Sequence, residues 1–422
     1  MKYKQVDLSS YKLHLIKTDK FKSILFKIVF RDEIKKDEIT IRNMLIDNLV
    51  FSCQKYPSRK MLSIKKQDLY GADIYGYNKR IGNHFLTEIS LSILNPKYTE
   101  DIMLEESIAF LSNIIFKPNA TNKSFNEEIF NIIKENTKTD IKGLKENPTS
   151  YAVTKLKETM AIDKAFSYRV LGYLEDLEKI NPNNLYEYYE KILKTNIIDI
   201  YVIGDFDFYD MEKIIKANFN FKTIKKDKGP IQIEYTNSKR KENEVIENSH
   251  FNQSIVSIGC SLNKLTLKER HYVLTIYNII LGNSPDSKFF KNIREKNSLA
   301  YTISSSFKKA DDLMLITAGI SSKNYQQTIT LIKNEMNEMQ KGNFNDNDIE
   351  KAKELFISVL NDIYEYPESI LDYYFSIEYL GAESLEKQQK TIKSITKEDI
   401  IKVASKVRID TIYFLKEKEG DI

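Results

Sequence analysis

The sequence predicts an α+β protein in which one unit of strands and amphipathic helices occurs twice. Apolar and polar residues alternate most clearly over 85–93, which is typical of a half-buried strand. Longer segments with helical periodicity, such as 126–144, lie between the strands. The order of strands and helices in the first half of the chain then returns in the second half. These observations predict two similar domains.

The first half contains several local features that define its elements. Ser58 is placed to cap a helix that ends at Gly71, and Gly82 and Asn83 form the turn of a β-hairpin. Pro182 opens a further helix. The predicted elements are the strands 13–16, 23–30, 72–80, 84–94 and 197–203 and the helices 41–51, 59–69, 103–115, 126–144 and 182–193.

The second half repeats this order. Its predicted elements are the strands 253–259, 300–307, 313–320 and 411–414 and the helices 268–281 and 287–295. The Phe-Asn pair at 125–126, with Pro148 beyond it, returns as the pair at 344–345, with Pro367 beyond it. Between the halves, 217–243 contains a charged run that ends in Gly-Pro, which is typical of a linker. The predicted domains are therefore 1–216 and 244–422.

Composition excludes several classes of function. The chain has 64 Lys and Arg against 60 Asp and Glu, and this balance does not indicate nucleic-acid binding. Its two cysteines provide no disulfide framework, which fits a reducing compartment. No apolar run approaches the roughly 20 residues of a membrane helix, and the first residues lack the apolar core of a signal peptide. We therefore expect a cytoplasmic protein.

The helix at 41–51 has the outline of a zinc-binding helix without its chemistry. Asn43, Ile46 and Asp47 share one face because they are spaced i, i+3 and i+4. A zinc helix of this kind carries two histidines and a general-base glutamate at such positions. Isoleucine can neither ligate zinc nor transfer a proton. The sequence therefore predicts a metal-site geometry from which the chemistry has been lost.

The runs at 56–60, Tyr-Pro-Ser-Arg-Lys, and at 68–72, Asp-Leu-Tyr-Gly-Ala, resemble those of the pitrilysin/insulinase metallopeptidases, which include the mitochondrial processing peptidase. Active members carry an inverted His-x-x-Glu-His motif just before such a segment. The resemblance aligns Asn43 with the first histidine, Ile46 with the glutamate and Asp47 with the second histidine. It covers nearly the whole chain and implies two peptidase-like domains that close like a clam shell.

The family takes a third zinc ligand from a glutamate on a later helix, and Glu135 is the best match to it. A zinc site needs three protein ligands and a water, so the surviving carboxylate cannot hold the metal. The resemblance implies that this chain has no cofactor and no catalytic residue of its own. Zinc is expected only on a partner chain.

The stretch 281–301 is the most family-specific part of the second half. Arg294 ends a helix and Tyr301 lies at the start of a strand. In the resembling family, an arginine and a tyrosine of this motif support the substrate at the zinc site, and in heterodimers they can lie on the chain without zinc. Both residues are intact here. The structural alternative is that Arg294 pairs with Glu295 or with a nearby carboxylate and that Tyr301 fills the core.

The resemblance implies a non-catalytic subunit, inactive alone, that contributes Arg294 and Tyr301 to a zinc-bearing homologue or to a second copy of itself. Peptides or unfolded proteins are the expected substrates. The overall pattern also resembles inactive members associated with 5-aminopentanol modification of elongation factor P. A second possibility is a scaffold or peptide-binding protein without peptidase activity. A third, an enzyme with relocated metal ligands, is the weakest because Asp47 and Glu135 lack a third partner.

Overall fold

The computed structural model describes residues 1–161, 164–222, 231 and 241–418. Its strands are β1 (Lys2–Asp7), β2 (Lys12–Lys17), β3 (Ser23–Glu33), β4 (Asp73–Ile81), β5 (His84–Leu94), β6 (Ala120–Thr121), β7 (Ser124–Phe125), β8 (Ile197–Gly204), β9 (Asn243–Asn248), β10 (Ser254–Leu262), β11 (Ala300–Lys308), β12 (Leu313–Ile320) and β13 (Val407–Lys416).

The α-helices lie between these strands and after them. They are α1 (Ile39–Phe51), α2 (Arg59–Asp68), α3 (Met103–Phe116), α4 (Glu127–Gly143), α5 (Pro148–Met160), α6 (Leu174–Leu177), α7 (Pro182–Thr195), α8 (Phe208–Asn218), α9 (Leu274–Leu281), α10 (Tyr325–Gln340), α11 (Asp346–Asn361), α12 (Pro367–Leu380), α13 (Leu385–Lys393) and α14 (Lys397–Ala404).

The two large sheets have the same topology, as the repeated sequence pattern predicts. The first has the order β1-β2-β8-β3-β5-β4 and the second the order β11-β12-β10-β13-β9. In the first, β2 runs parallel to β8, and the pairs from β8 to β4 are antiparallel. In the second, β9 runs parallel to β13, and the pairs from β13 to β11 are antiparallel. The fold is therefore α+β and duplicated, with β1 as an addition to the first sheet.

Local sequence features account for most element boundaries. The Ser58 side chain accepts a hydrogen bond from the Met61 amide and so caps α2, as expected. Asn181 forms a capping box at the start of α7. The predicted helix at 268–281 begins instead with a π-helical segment, Glu269–Val273, before α9. Two strands, β1 and β9, and two helices, α5 and α12, were not predicted from the sequence.

The chain divides into two compact units that exchange helices along the sequence. The first unit comprises Met1–Ile141, Arg169–Ile231 and Tyr364–Leu380, and the second comprises Lys142–Tyr168, Gln232–Ile363 and Gly381–Ile422. Thus α5 belongs to the second unit and α12 to the first. The predicted domains at 1–216 and 244–422 are continuous, whereas the compact units are not. Local periodicity identifies an amphipathic helix but not the sheet that it covers.

The two exchanged helices cover apolar sheet surface. In the second unit, Leu156 and Met160 of α5 pack with Ile255 and Leu315. In the first unit, α12 packs on the sheet face opposite to α1, because the strand residues that contact the two helices alternate along β3 and β8. The α12 side contains Ile370, Leu371, Phe375, Leu25, Val29 and Tyr201, and the α1 side contains Phe26, Ile28 and Ile200.

The predicted linker, 217–243, lies mostly outside the described residues. Its first residues belong to the first unit, because α8 continues to Asn218 and because Phe219 and Phe221 are buried in that unit's core. Residues 223–230 and 232–240 are not among those described. In the described part of the chain, no helix is long and apolar enough to cross a membrane.

Candidate functional site

The first of the three former zinc-site positions is used for structural hydrogen bonds. Asn43 Nδ2 donates to the Val170 carbonyl at 2.7 Å, and Asn43 Oδ1 accepts from Asn78 Nδ2 at 2.7 Å. One turn earlier on α1, Thr40 Oγ1 accepts from the Tyr173 amide at 2.9 Å. These bonds hold the segment before α6 and strand β4 against α1. The Asn43 amide therefore fixes local structure at the position of the first histidine.

The second position is part of the apolar packing between α1 and β4. The side chain of Ile46 is only 2% exposed, and it occupies the space beside Gly76. A Cβ atom on Gly76 would lie 2.5 Å from Ile46 Cγ1, which is closer than van der Waals contact allows. Isoleucine at position 46 therefore fits only because position 76 is glycine. No general base is present at position 46, because isoleucine cannot transfer a proton.

The third position keeps a carboxyl group. Burial and, to a smaller extent, the negative charge of Asp140 on α4 together raise the pKa of Asp47 to about 6. Glu135, the predicted survivor of the third ligand, is 71% exposed and lies 3.6 Å from the Lys138 ammonium. Asp140, and not the predicted Glu135, is thus the carboxylate whose charge acts on Asp47.

The sequence held a signal that could have identified Asp140. On α4, Ile133, Thr137 and Ile141 are buried, at a spacing of four residues. Asp140 follows Thr137 by three residues and therefore lies beside the buried face, whereas Glu135 projects away from it. Glu135 was predicted because the resembling family uses a glutamate, and not an aspartate, as its third zinc ligand. The helical period of α4 places Asp140 nearer to the buried face, and the match of Glu135 to the third ligand stays a prediction.

The α1 face therefore offers an amide, an isoleucine and a carboxyl group whose pKa is raised by burial and by the charge of Asp140 on α4. Zinc sites in proteins use three or four nitrogen, sulfur or oxygen ligands. Within the described ranges, no group of three or more His, Cys, Asp or Glu side chains could hold a metal ion. The residues present do not fit a zinc ion at this face.

Arg294 lies in a π-helical segment, Phe290–Glu295, of the second unit. Ser287 Oγ accepts a hydrogen bond from the Phe290 amide at 3.4 Å and so caps the turn. The Arg294 guanidinium is exposed and lies 4.7 Å from the centre of the Phe290 ring. Among the described residues it forms no ion pair, so the alternative of a pair with Glu295 does not occur. The guanidinium keeps its donors available to a ligand.

Tyr301 is presented by an edge strand. The chain turns at Ser298, whose φ of 51° is left-handed, and then enters β11, the outer strand of the second sheet. The pairing of β11 with β12 is irregular between Ala300 and Thr302, so Tyr301 lies outside the regular ladder. Its side chain is 64% exposed. The alternative in which Tyr301 fills the core is therefore excluded.

Comparisons with known proteins agree with this architecture. Residues 179–356 match the family described as Peptidase M16 inactive domain. The chain is 27% identical over 342 residues to the probable inactive metalloprotease YmfF of Bacillus subtilis, with 80% of each chain covered.

Solved structures extend the likeness to the whole fold. A conserved protein from Enterococcus faecalis is similar with a TM-score of 0.92 and 26% identity, over 99% of this chain and 100% of that one. A peptidase M16 inactive domain from Pseudomonas fluorescens is similar with a TM-score of 0.80 and 13% identity, over 100% of this chain and 99% of that one. Residues 179–356 are therefore similar to the peptidase M16 inactive domain, and the whole chain shares the fold of these solved structures.

Proposed function

We propose that this protein is the non-catalytic subunit of a zinc peptidase and that it acts in trans on the active site of a homologous, zinc-bearing chain. The observation that carries the proposal is the contrast between two regions of the chain. On α1, Asn43 and Ile46 are used for structural hydrogen bonds and packing, whereas Arg294 and Tyr301 are both exposed and, within the described residues, neither side chain forms a hydrogen bond or an ion pair.

The chemistry of the two residues suits this role. A guanidinium and a phenol are hydrogen-bond donors that can orient a peptide carbonyl and stabilise the negative charge that develops on its oxygen. A zinc ion on the partner would supply the nucleophile as bound water. Because the partner would hold the metal and this chain the hydrogen-bond donors, this chain needs no metal and has no peptidase activity alone.

The partner is either a homologous zinc-bearing chain or a second copy of this chain. An assembly of two copies of this chain would contain no zinc. The same exposed donors also serve a scaffold that binds peptides without cleaving them. The association with elongation factor P modification remains a prediction. Only an assay with a zinc-bearing chain present separates the peptidase subunit from the scaffold.

The decisive experiment mixes this chain with zinc-bearing homologues from the same source. Gel filtration with light scattering measures association, and cleavage of an unfolded protein and of peptide libraries measures activity. We expect one homologue to associate and to gain activity only in the mixture. Association without a gain in activity over the zinc-bearing chain alone would support the scaffold and contradict the proposal, as would activity of this chain by itself.

A further inference from the structure

A cavity of about 480 Å³ lies in the second unit, at the end of α9 and beside the first turns of α11. Cavities of this size hold small molecules or a terminal residue of a peptide. Part of its lining is aliphatic and comes from Ile279, Ile280, Ala352 and Leu355. Leu355 is 41% exposed, so an apolar surface is open to a ligand. Arg294 and Tyr301 do not line this cavity.

Three lysines, Lys288, Lys291 and Lys351, line the cavity together with three carboxylates, Asp286, Asp348 and Glu354. Lys351 Nζ lies 3.1 Å from Asp286 Oδ2, and Lys291 Nζ lies 3.4 Å from Asp286 Oδ1. Two ammonium groups thus share one carboxylate. A second carboxylate, brought by a ligand, can form charge-assisted hydrogen bonds with both amines.

Asn292 adds an acceptor to the lining. Its Nδ2 donates to Glu335 Oε1 at 2.8 Å, which fixes the amide plane. In the described part of the chain, its side-chain oxygen accepts no hydrogen bond. This oxygen can accept from the backbone N–H of a peptide. The cavity therefore combines an aliphatic surface, a pair of amines and one amide acceptor.

We propose that this cavity binds the C-terminal residue of a peptide whose last side chain is aliphatic. The side chain lies against Ile279 and Leu355, the terminal carboxylate lies between Lys291 and Lys351, and Asn292 accepts the N–H of the last residue. Asp348 and Glu354 also line the cavity and oppose a carboxylate by like charge. The binding is reversible and does not depend on the function proposed above.

Titration calorimetry of the full chain with three probes tests the ligand. The probes are acetyl-Ala-Ala-Leu with a free carboxylate, the same peptide as its C-terminal amide, and 4-methylpentanoate. We expect the amide to bind about 10-fold more weakly, because it loses charge-assisted bonds to two lysines. We expect 4-methylpentanoate to bind more weakly than the acid peptide, because it has no peptide N–H. Equal affinity of the acid and the amide, or of 4-methylpentanoate and the acid peptide, would overturn the proposal.

Exposed positions allow variants that leave the fold intact, which circular dichroism verifies. We expect Lys351→Gln and Leu355→Gln each to weaken binding of the acid peptide by about 10-fold. Glu354→Gln should strengthen it several-fold by removing the like charge. Lys341→Gln, an exposed lysine outside the cavity, is the matched control. Unchanged affinity in both Lys351→Gln and Leu355→Gln, or no binding of the acid peptide at about 1 mM, would also overturn it.

Discussion

Ile46 of α1 and Gly76 of β4 occupy one space: a Cβ atom at position 76 would lie 2.5 Å from Ile46 Cγ1. We expect Gly76→Ala to lower the free energy of unfolding by about 1–3 kcal/mol, because overpacking forces a buried side chain out of place. Urea denaturation measures this. Gly143→Ala is the control, since nothing lies within 4 Å of the added methyl group. In the Ile46→Ala background, Gly76→Ala should cost less, and an equal cost in both backgrounds would contradict the packing argument.

The purified chain is expected to hold no stoichiometric zinc, because Asn43 and Ile46 occupy positions that need a ligand and a general base. Metal analysis after gel filtration tests this directly. One zinc per chain, lost in Asp140→Ala or in Glu135→Ala, would refute the expectation and identify the carboxylate that holds it.

Restoring two histidines should reveal which carboxylate faces α1. In the Asn43→His/Asp47→His variant we expect measurable zinc binding that Asp140→Ala removes and Glu135→Ala does not, because Asp140 is the carboxylate that acts on position 47. Zinc titration against a competing chelator gives the affinity. The opposite dependence, on Glu135, would show that the sequence-based choice was right.

Asp47 makes stability depend on pH. Its pKa is about 6 in the folded chain against an ordinary 3.8, so the folded state binds this proton more tightly than the unfolded state. Ionised Asp47 therefore costs stability that is absent below pH about 4 and reaches its full value above pH about 6. We expect Asp47→Asn to raise the free energy of unfolding at pH 8 by about 1–2 kcal/mol, allowing for partial solvent screening, and to change it little at pH 4.

Urea denaturation of wild type and Asp47→Asn at both pH values measures the difference. Asp19→Asn, at an exposed position, is the matched control. Asp140→Asn should reduce the pH dependence by removing the second cause of the shift. A gain in stability that is the same at pH 4 and pH 8 would show that packing, and not ionisation, is responsible.

Arg294 and Tyr301 are predicted to act on the partner's substrate. In an active mixed complex, we expect Arg294→Ala or Tyr301→Phe to lower turnover by about 10²–10³ while association is unchanged, since the loss of one oxyanion donor has this effect. Lys296→Ala and Tyr209→Phe, both at exposed positions, are the matched controls. Full activity in a complex that carries both substitutions would remove the two residues from the site.

The exchanged helix α12 is held to the first sheet by a buried hydrogen bond, in which Tyr379 Oη donates to Asp199 Oδ1 at 2.5 Å. We expect Tyr379→Phe to lower the free energy of unfolding by about 1–3 kcal/mol, because Asp199 is fully buried and loses a donor. Tyr366→Phe, 62% exposed in the segment just before α12, is the control. Equal effects of the two variants in urea denaturation would argue against a structural role of this bond.

The sequence by itself determined the structural features that depend on residues close to one another in the chain. Alternation and turn chemistry located the β4–β5 hairpin, and the capping residue Ser58 located the start of α2. The i, i+3, i+4 spacing placed Asn43, Ile46 and Asp47 on one face of α1, and their residue types excluded a zinc site there. The repeated order of elements predicted the duplication that both sheets show. These features follow from the period of a helix or strand and need no information on distant contacts.

Only the tertiary structure decided features that depend on residues far apart in sequence. It assigned α5 and α12 to compact units other than those of their neighbours in the chain, because an amphipathic face does not specify which sheet it covers. It brought Asp140 close enough to Asp47 for its charge to raise the pKa of Asp47, and it left Glu135 exposed beside Lys138. It left Arg294 and Tyr301 exposed where a local view allowed an ion pair or a core position. Burial and charge are set by the whole fold, and the period of one helix or strand does not contain them.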